Sequence, residues 1–292
     1  MRALTYATDS DGYYPLLQSS ALRFGFALDV LGWGERWSGM ATKMIRYHDR
    51  LSQYPASEVV MLVDAYDVVF AAPVVETEKI FESMQLPYLF SAQRYFPKSR
   101  FWRRLADQVM GLGDDGHLPN RFETERSGRP CMGALMGYAG ALTELFSRLI
   151  ASEARLNTRD DQKLLNLHLQ KFPEEVHIDR ECQIFQNLWR NSGVGSAGRF
   201  DPRVSHSELR VLPTARLENR QTKTHPQVIH APMNLNIDPL LAAMGYRLDE
   251  VKRISRLRYL RYGVVPHVKV LFERELKAMS HSRGGPSGTN RS

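Results

Sequence analysis

The chain has 292 residues and 43% hydrophobic content, which suffices for a sizeable buried core and excludes an intrinsically disordered protein. Its formal net charge is +7, and the excess lies from residue 247 onward, where 11 Lys and Arg face 4 Asp and Glu; the first 246 residues carry 28 of each sign. The two cysteines are too few for a disulfide framework, and neither a membrane span nor a signal peptide is recognisable, so we expect a cytoplasmic protein.

Strand-like and helical patterns alternate along the N-terminal part of the chain. The sequence predicts strands at Arg2–Thr8, Phe26–Gly32, Val59–Val63 and Leu86–Ser91, and helices at Tyr13–Phe24, Met40–Gln53 and Val74–Met84. This alternation predicts an α/β fold with a mostly parallel sheet flanked by helices. Ligands of such sheets bind beyond the carboxyl ends of the strands, where Thr8, Gly32 and the turn 64–67 fall.

The remaining sequence is less regular. It predicts a strand at Met132–Ala139, helices at Gly140–Glu153 and Thr158–Phe172, and a short strand at Gln227–His230. Surface helix and loop are expected at Lys98–His117, a loop at Asn191–Gly198, and helices at Arg247–Arg261 and His267–Met279. These patterns predict one domain at 1–246, a basic helical C-terminal extension at 247–280 and a disordered tail at 281–292.

Two aspartates follow the third predicted strand, in the run VVMLVDAYDVVF of residues 59–70. Burying an ion without a partner is costly, so Asp64 and Asp67 need a counter-charge. A divalent cation would supply it, because such ions take oxygen ligands. The alternative is that both aspartates form the turn or cap the next element. Tyr66 between them either offers its ring to a flat ligand or packs in the core.

A histidine, His230, ends the short predicted strand VIH. If it meets Asp64 and Asp67, the set of two carboxylates and an imidazole favours Mn²⁺ over Ca²⁺, since imidazole suits transition metals. A metal held by few protein groups completes its shell with water and substrate phosphates. The alternative is a structural histidine in the core.

An acidic pair, Asp160 and Asp161, precedes Gln162 at the start of the predicted helix Thr158–Phe172. Helix capping and favourable interaction with the helix dipole explain acids at this position. The functional alternative is that one carboxylate faces the reacting hydroxyl or sugar as a base or hydrogen-bond partner. The spacing alone does not separate the two interpretations.

A series of segments occurs in the order found in one family of glycosyltransferases. They are YATDSDGY, LGWGERWSG, VDAYDVVF, LFSAQ, TRDDQ, IDRECQIFQNL and IHAP, between about Arg2 and Asn236. In this series the chain resembles the glycosyltransferase domain of the procollagen lysyl hydroxylases and their viral relatives. The resemblance implies a GT-A (Rossmann-like) fold, a UDP-sugar donor and Mn²⁺.

The resemblance also implies roles for particular residues. Asp64, Asp67 and His230 would hold the metal, and Tyr66 would stack on the uracil. The other implied contacts to the donor and acceptor are Thr8 at the nucleotide, Trp37 and Lys43 in the loop over the donor, and Asp160, Asp161 and Gln162 beside the sugar and acceptor. Asp161 is the candidate base if the reaction inverts configuration.

The chain departs from the family pattern at two turns. Cys131-Met132-Gly133 stands where the family usually has Asn-Ser-Gly, and Ala231-Pro232-Met233 stands where it has Gly-Asn-Gly. The loop after Trp37 is also shorter than in the animal enzymes. These differences concern the choice of sugar and acceptor more than the metal ligands.

The activity implied by the resemblance is transfer of a hexose, glucose or galactose, from UDP to a hydroxyl group. Hydroxylysine of a collagen-like protein is the implied acceptor. The basic extension motivates a second candidate acceptor, a hydroxymethylated nucleic-acid base. The alternative is that the extension is simply a solvated helix. The second interpretation is favoured, because the Lys and Arg residues do not all share one helical face. A third possibility is a protein that binds nucleotide sugar without transferring it. The sequence does not determine the sugar, the stereochemical outcome or the oligomeric state.

Overall fold

The computed structural model describes residues 1–93, 129–156, 161–188, 209–232 and 235–251. Contacts divide the chain into two units, and all described residues belong to the unit formed by Met1–Tyr95 and Leu118–Arg253. Of the helices in the described part of the chain, none has the length and apolar character needed to cross a membrane.

Short strands and helices alternate through this unit. The strands are β1 (Arg2–Tyr6), β2 (Ala27–Leu31), β3 (Val59–Asp64), β4 (Val68–Phe70), β5 (Tyr88–Gln93), β6 (Arg129–Tyr138), β7 (Ile178–Asp179), β8 (Phe185–Asn187), β9 (Leu209–Val211), β10 (Leu217–Asn219) and β11 (Val228–His230). The helices are α1 (Tyr14–Phe24), α2 (Met40–Leu51), α3 (Val74–Met84), α4 (Ala139–Leu156), α5 (Asp161–Lys171) and α6 (Asp238–Ala243), with a 3₁₀ turn at Pro173–Glu175.

A six-stranded sheet with the order β2-β1-β3-β6-β5-β7 forms the centre of the fold. β1 pairs in parallel with β2 and β3, and β5 pairs in parallel with β7, whereas β6 runs antiparallel to β3 and β5. Every strand of this sheet except β6 therefore runs in the same direction. The predicted α/β fold, a mostly parallel sheet flanked by helices, is confirmed.

The core lies on both faces of this sheet. Because side chains alternate along a strand, Val60 and Leu62 of β3 face the apolar sides of α2, α4 and α5, and Val59, Met61 and Val63 face α1 and α3. A strand that is apolar on both faces is typical of a parallel sheet covered by helices. This explains why the run before Asp64 is continuous rather than alternating.

A second, smaller sheet with the order β4-β11-β8 continues from the end of β3. β11 pairs antiparallel with β4 and parallel with β8. Of these three strands, only β11 was predicted from the sequence, because three-residue strands are too short for a hydrophobic period to identify. This sheet carries His230 to the end of β3.

The predicted elements of the N-terminal part are confirmed within a few residues, and α3 has the predicted bounds. α1 accepts Pro15 in its first turn and ends at Gly25, whose φ of 79° is the left-handed conformation that favours glycine. The predicted helix Arg247–Arg261 is wrong at its start, because residues 247–251 are not helical. There Leu248 and Val251 pack on the core beneath the second sheet, and Arg247 pairs with Asp249.

Some predictions lie outside the described residues. They concern Lys98–His117, the loop Asn191–Gly198, the helix His267–Met279 and the tail 281–292. The domain boundary after residue 246 and the basic helical C-terminal extension stay predictions.

Candidate functional site

Two acidic residues and a histidine meet at one end of the central sheet. Asp64 is the last residue of β3, and Asp67 directly precedes β4. The antiparallel pairing of β4 with β11 places His230 opposite Val68, and the amide of Ala231 donates to the carbonyl of Asp67 at 2.7 Å. Strand pairing therefore brings His230 beside the acidic turn, although the two are distant along the chain.

The side chains of these three residues converge, since one ligand atom from each lies within 4.8 Å of the others. Nε2 of His230 is 3.5 Å from Oδ1 of Asp67 and 3.9 Å from Oδ2 of Asp64. Nε2 of His230 and Oδ1 of Asp67 are both buried without a hydrogen-bond partner. Leaving buried polar atoms unsatisfied costs free energy, and a cation between them would satisfy both. Two carboxylates and an imidazole fit a divalent transition metal.

A buried asparagine sets the orientation of the histidine. Nδ2 of Asn187 donates to the carbonyl of Ala92 at 2.9 Å, which turns Oδ1 of Asn187 toward Nδ1 of His230 at 2.8 Å. An amide oxygen can only accept, so Nδ1 of His230 is the protonated nitrogen and Nε2 faces the two carboxylates. Histidine ligands of metals are commonly held by such a second hydrogen bond.

The surroundings of Nε2 favour positive charge. Burial on its own lowers the pKa of His230, but the carboxylate of Asp67 and the thiol of Cys131 raise that pKa well above its ordinary value. A proton at Nε2 and a metal at Nε2 are alternatives, because a metal binds the lone pair that the proton would occupy. The surroundings of Nε2 thus favour a cation at this position, either the proton of the imidazolium or a metal ion.

A glycine keeps the space between the ligand atoms open. A Cβ atom on Gly133 of β6 would lie 2.7 Å from Oδ2 of Asp64 and 2.8 Å from Nε2 of His230. These separations are shorter than carbon makes with oxygen or nitrogen without a bond. Any side chain at this position would therefore occupy the space between two of the three ligands.

A buried lysine also pairs with the acidic turn. Nζ of Lys43 lies 3.0 Å from Oδ1 of Asp64 and 3.0 Å from Oδ2 of Asp161. Burial on its own lowers the pKa of Lys43, but these two carboxylates raise it well above its ordinary value, so the ammonium stays charged. The expectation that a metal alone neutralises the aspartates is corrected here, because a side-chain cation already pairs with Asp64. Lys43 is also part of α2 and not of the preceding loop.

The carboxylate of Asp161 is buried at the start of α5. Its Oδ2 pairs with Lys43, and its Oδ1 accepts a hydrogen bond from the amide of Gln162 at 2.8 Å. Through Lys43 it is linked to Asp64, so the structure brings this candidate base to the edge of the group formed by the three possible metal ligands. Its neighbour Asp160 lies outside the described residues.

The side chain of Gln162 ties α5 to the beginning of β6. Its Oε1 accepts from the amide of Met132 at 3.0 Å, and its Nε2 donates to the carbonyl of Pro130 at 2.7 Å and to Oδ1 of Asn166 at 3.1 Å. These bonds hold the start of β6, which leads to Gly133. The predicted contact of Gln162 with the donor stays a prediction.

The tyrosine of the acidic turn contacts the end of β1. The hydroxyl of Tyr66 accepts from the amide of Thr8 at 2.8 Å and lies 3.1 Å from Oγ1 of Thr8. Gly12, with a φ of 60°, allows the close approach of the chain to the carbonyl of Tyr66, where a Cβ would be 2.6 Å from that oxygen. The two predicted nucleotide contacts, Thr8 and Tyr66, are therefore neighbours.

The loop after β2 is held against β1 by aromatic and polar contacts. Trp37 packs edge-on against Tyr6, with ring centroids 5.6 Å apart. The hydroxyl of Tyr6 donates to Glu35 at 3.1 Å, and Arg46 donates to the same carboxylate at 3.0 Å. Trp37 thus packs on the last residue of β1, two residues before Thr8, and none of its described contacts is to the three possible metal ligands.

Two residues with clear positions in the site were not singled out from the sequence. Asn187 lies in the quoted segment IFQNL, and Gly133 ends the quoted turn Cys131-Met132-Gly133, so the motifs contained both residues without indicating what they contact. Only the pairing of β8 with β11 and of β3 with β6 reveals their roles.

The fold and the site together define a class of protein. A mostly parallel sheet with an acidic turn at the carboxyl end of a central strand, completed by a histidine from an adjoining sheet, is consistent with the GT-A-like fold of nucleotide-sugar transferases.

The comparisons with known proteins point to a particular family. Residues 1–108 match the model of the PLOD GT domain. The chain is 27% identical over 254 residues to procollagen-lysine,2-oxoglutarate 5-dioxygenase 1 of Rattus norvegicus, covering 81% of this chain and 31% of the relative. It is 27% identical over 203 residues to procollagen-lysine,2-oxoglutarate 5-dioxygenase 2 of Homo sapiens, covering 63% of this chain and 25% of the relative.

These findings confirm the resemblance to the glycosyltransferase domain of the procollagen lysyl hydroxylases and support a glycosyltransferase-like function. The chain spans less than a third of the length of these relatives, whose names describe dioxygenases. The matched family segment contains Asp64 and Asp67, whereas His230 lies beyond it.

Proposed function

We propose that this protein is a metal-dependent glycosyltransferase that moves a hexose from a UDP-sugar to a hydroxyl group. The observation that carries the proposal is the convergence of Asp64, Asp67 and His230, with two of their ligand atoms buried and unsatisfied. A buried imidazole and two partly buried carboxylates arranged in this way are suited to a divalent ion, and the family match supports sugar transfer as the reaction.

Asp64, Asp67 and His230 would hold Mn²⁺, with Asn187 keeping Nε2 of the histidine directed at the ion. When bound, the metal supplies Lewis-acid stabilisation of the charge that develops on the diphosphate of the departing UDP, which is worth several kcal/mol. The side chain of Asp64 is 36% exposed, so the ligand group is open to solvent and a diphosphate could reach it.

Recognition of the nucleotide would rest on Tyr66 and Thr8. The hydroxyl of Tyr66 is held by Thr8, which fixes the tyrosine ring for stacking on a flat base such as uracil. Trp37, fixed on Tyr6, would bound the donor from the loop after β2. We further propose that Gln162 contributes to donor binding by holding the start of β6 in place.

Asp161 would act on the acceptor side. Its carboxyl group is buried and pairs with Lys43, and a carboxylate there could accept the proton of an attacking hydroxyl or orient that hydroxyl. Asp160, its neighbour in sequence, is proposed to share this side of the site.

The proposed acceptor is hydroxylysine in a collagen-like protein, because the relatives are named for procollagen lysine. A second candidate acceptor is a hydroxymethylated base of DNA. A third possibility is that the protein binds nucleotide sugar without transferring it to any acceptor. Glucose and galactose are both candidate sugars. The cytoplasmic location expected from the sequence also stays a proposal.

The test is a measurement of UDP release with Mn²⁺ over a panel of UDP-sugars. Each is assayed with a collagen-like hydroxylysine peptide, with hydroxymethylated duplex DNA and without acceptor. We expect release with the peptide and a loss of about a hundredfold or more in Asp67→Ala, since a lost ligand removes several kcal/mol of stabilisation. Asp49→Ala on the exposed side of α2 is the matched control and should keep wild-type activity. Equal release from wild type and Asp67→Ala would refute the proposed metal ligands, and UDP binding without release would favour the inactive binding protein.

A further inference from the structure

The most unusual group in the described core is the ammonium of Lys43. Its side chain is only 6% exposed, and it contacts carboxylates from two separate elements, β3 and α5. α2 holds it firmly, because Tyr47, one turn along the helix, donates its hydroxyl to the carbonyl of Val63 at 3.2 Å, next to Asp64. Nζ also lies 5.9 Å from the centre of the Tyr47 ring. The lysine is thus built into the wall of the site.

Lys43 lies between the possible metal ligands and the candidate base. Its contacts to Oδ1 of Asp64 and Oδ2 of Asp161 are both 3.0 Å, so these oxygens are at most twice that distance apart. A divalent ion bound by Asp64 and Asp67 would therefore also attract the nearby carboxylate of Asp161. The ammonium competes for that carboxylate as its partner in an ion pair at 3.0 Å.

The charges of the linked side chains point the same way. Asp64, Asp67 and Asp161 carry three negative charges and Lys43 carries one positive charge, so the group has a net charge of −2 when His230 is neutral. One divalent ion neutralises this group. Without Lys43 the ion would meet a charge of −3, and without Asp161 it would meet −1.

We propose that Lys43 is a positioning residue that keeps Asp161 out of the metal's ligand shell and limits the negative charge that the metal meets. This inference rests on the proposed function, because it assigns a role to Lys43 at the same metal site.

The test is the affinity of the full chain for Mn²⁺ without nucleotide, measured by electron paramagnetic resonance of the free ion. Variants Lys43→Met, Asp161→Asn and the double variant change the charge of the group in steps of one. We expect binding about tenfold tighter in Lys43→Met, about tenfold weaker in Asp161→Asn, and within about threefold of wild type in the double variant, because each step adds or removes one charge near the ion. Lys79→Met, on the exposed side of α3, is the control and should leave the affinity unchanged.

The same series separates this role from two others. If Lys43 only stabilises the fold, Lys43→Met would lower the melting temperature without changing the affinity for Mn²⁺. If Lys43 only contacts the diphosphate, Lys43→Met would weaken the binding of UDP and leave the binding of Mn²⁺ in the absence of nucleotide unchanged. If Lys43→Met binds Mn²⁺ within about twofold of wild type, or more weakly, the inference is overturned.

The double variant keeps the inference testable if Lys43→Met does not fold, because it leaves no uncompensated charge on Asp161. Tighter binding in the double variant than in Asp161→Asn alone supports the inference, and equal binding in the two overturns it. If wild type does not bind Mn²⁺ at all, the proposed metal-dependent function fails. If wild type binds Mn²⁺ and the three variants bind it with the same affinity, only the proposed role of Lys43 fails.

Discussion

A methyl group at position 133 is the sharpest test of where the ion binds. Gly133→Ala places a carbon 2.7 Å from Oδ2 of Asp64 and 2.8 Å from Nε2 of His230. Both separations are well inside van der Waals contact, so the methyl group and a metal ion bound by these atoms compete for the same space. The substitution changes no ligand, no charge and no hydrogen-bonding group.

The size of the effect follows from these distances. Overpacking of this kind costs about 1–3 kcal/mol of stability, because the neighbouring side chains must move. If the shift removes one or more ligands from the ion, binding weakens by about 3 kcal/mol, which corresponds to about a hundredfold in the dissociation constant. We therefore expect Gly133→Ala to fold, to melt at a lower temperature and to bind Mn²⁺ about a hundredfold more weakly.

Gly137→Ala is the matched control on the same strand. A Cβ there would lie 2.6 Å from Cβ of Tyr88 and 2.7 Å from the carbonyl of Pro87, so this substitution also overpacks its surroundings, although the nearest atom at position 133, Cε1 of His230, is closer still. Four residues of strand separate the two positions by about 13 Å. Titration with Mn²⁺ and thermal unfolding are measured for both variants. If both lose stability and both bind Mn²⁺ as wild type does, the ion does not bind between Asp64 and His230.

Two further predictions concern hydrogen bonds that support the site and the fold. Asn187→Ala should weaken Mn²⁺ binding by about ten- to a hundredfold, as measured by titration, because the imidazole loses the acceptor that orients it. Asn219→Ala, at an equally buried asparagine in the second half of the chain, should destabilise the fold without this loss. Burial on its own raises the pKa of Glu175, but hydrogen bonds from His168 and Tyr88 lower it below the usual carboxyl value. Because the folded pKa is the lower one, the stabilisation is present above the unfolded pKa and is lost as the pH falls through the folded pKa. Glu175→Gln should therefore flatten the acid side of a plot of unfolding free energy against pH, and an unchanged slope would contradict this assignment.

Local patterns were sufficient to predict the main elements of the fold. The continuous apolar run before Asp64 predicted a strand at Val59–Val63, and β3 is buried over these residues. The short strands β4 and β8 were missed, because three residues do not show a period. The antiparallel direction of β6 was also not predicted, since the pattern of a buried strand is the same in both directions.

The candidate site was likewise predicted only in part from the sequence. The position of Asp64 and Asp67 at the carboxyl end of a strand, and of His230 at the end of another, follows from sequence patterns together with the general rule for ligands of α/β sheets. The sequence left open whether these residues meet. The pairing of β4 with β11 answers this, because it brings together parts of the chain that are far apart along it.

The sequence by itself determined the alternation of strands and helices, the acidic turn and the order of the family segments, because these are properties of neighbouring residues. Only the tertiary structure decided that Lys43 joins Asp64 to Asp161, that Asn187 orients His230, and that the missing side chain of Gly133 leaves room between the ligands. The physical reason is that each of these depends on distances of a few ångströms between separate elements, which are set by how the strands pair and the helices pack.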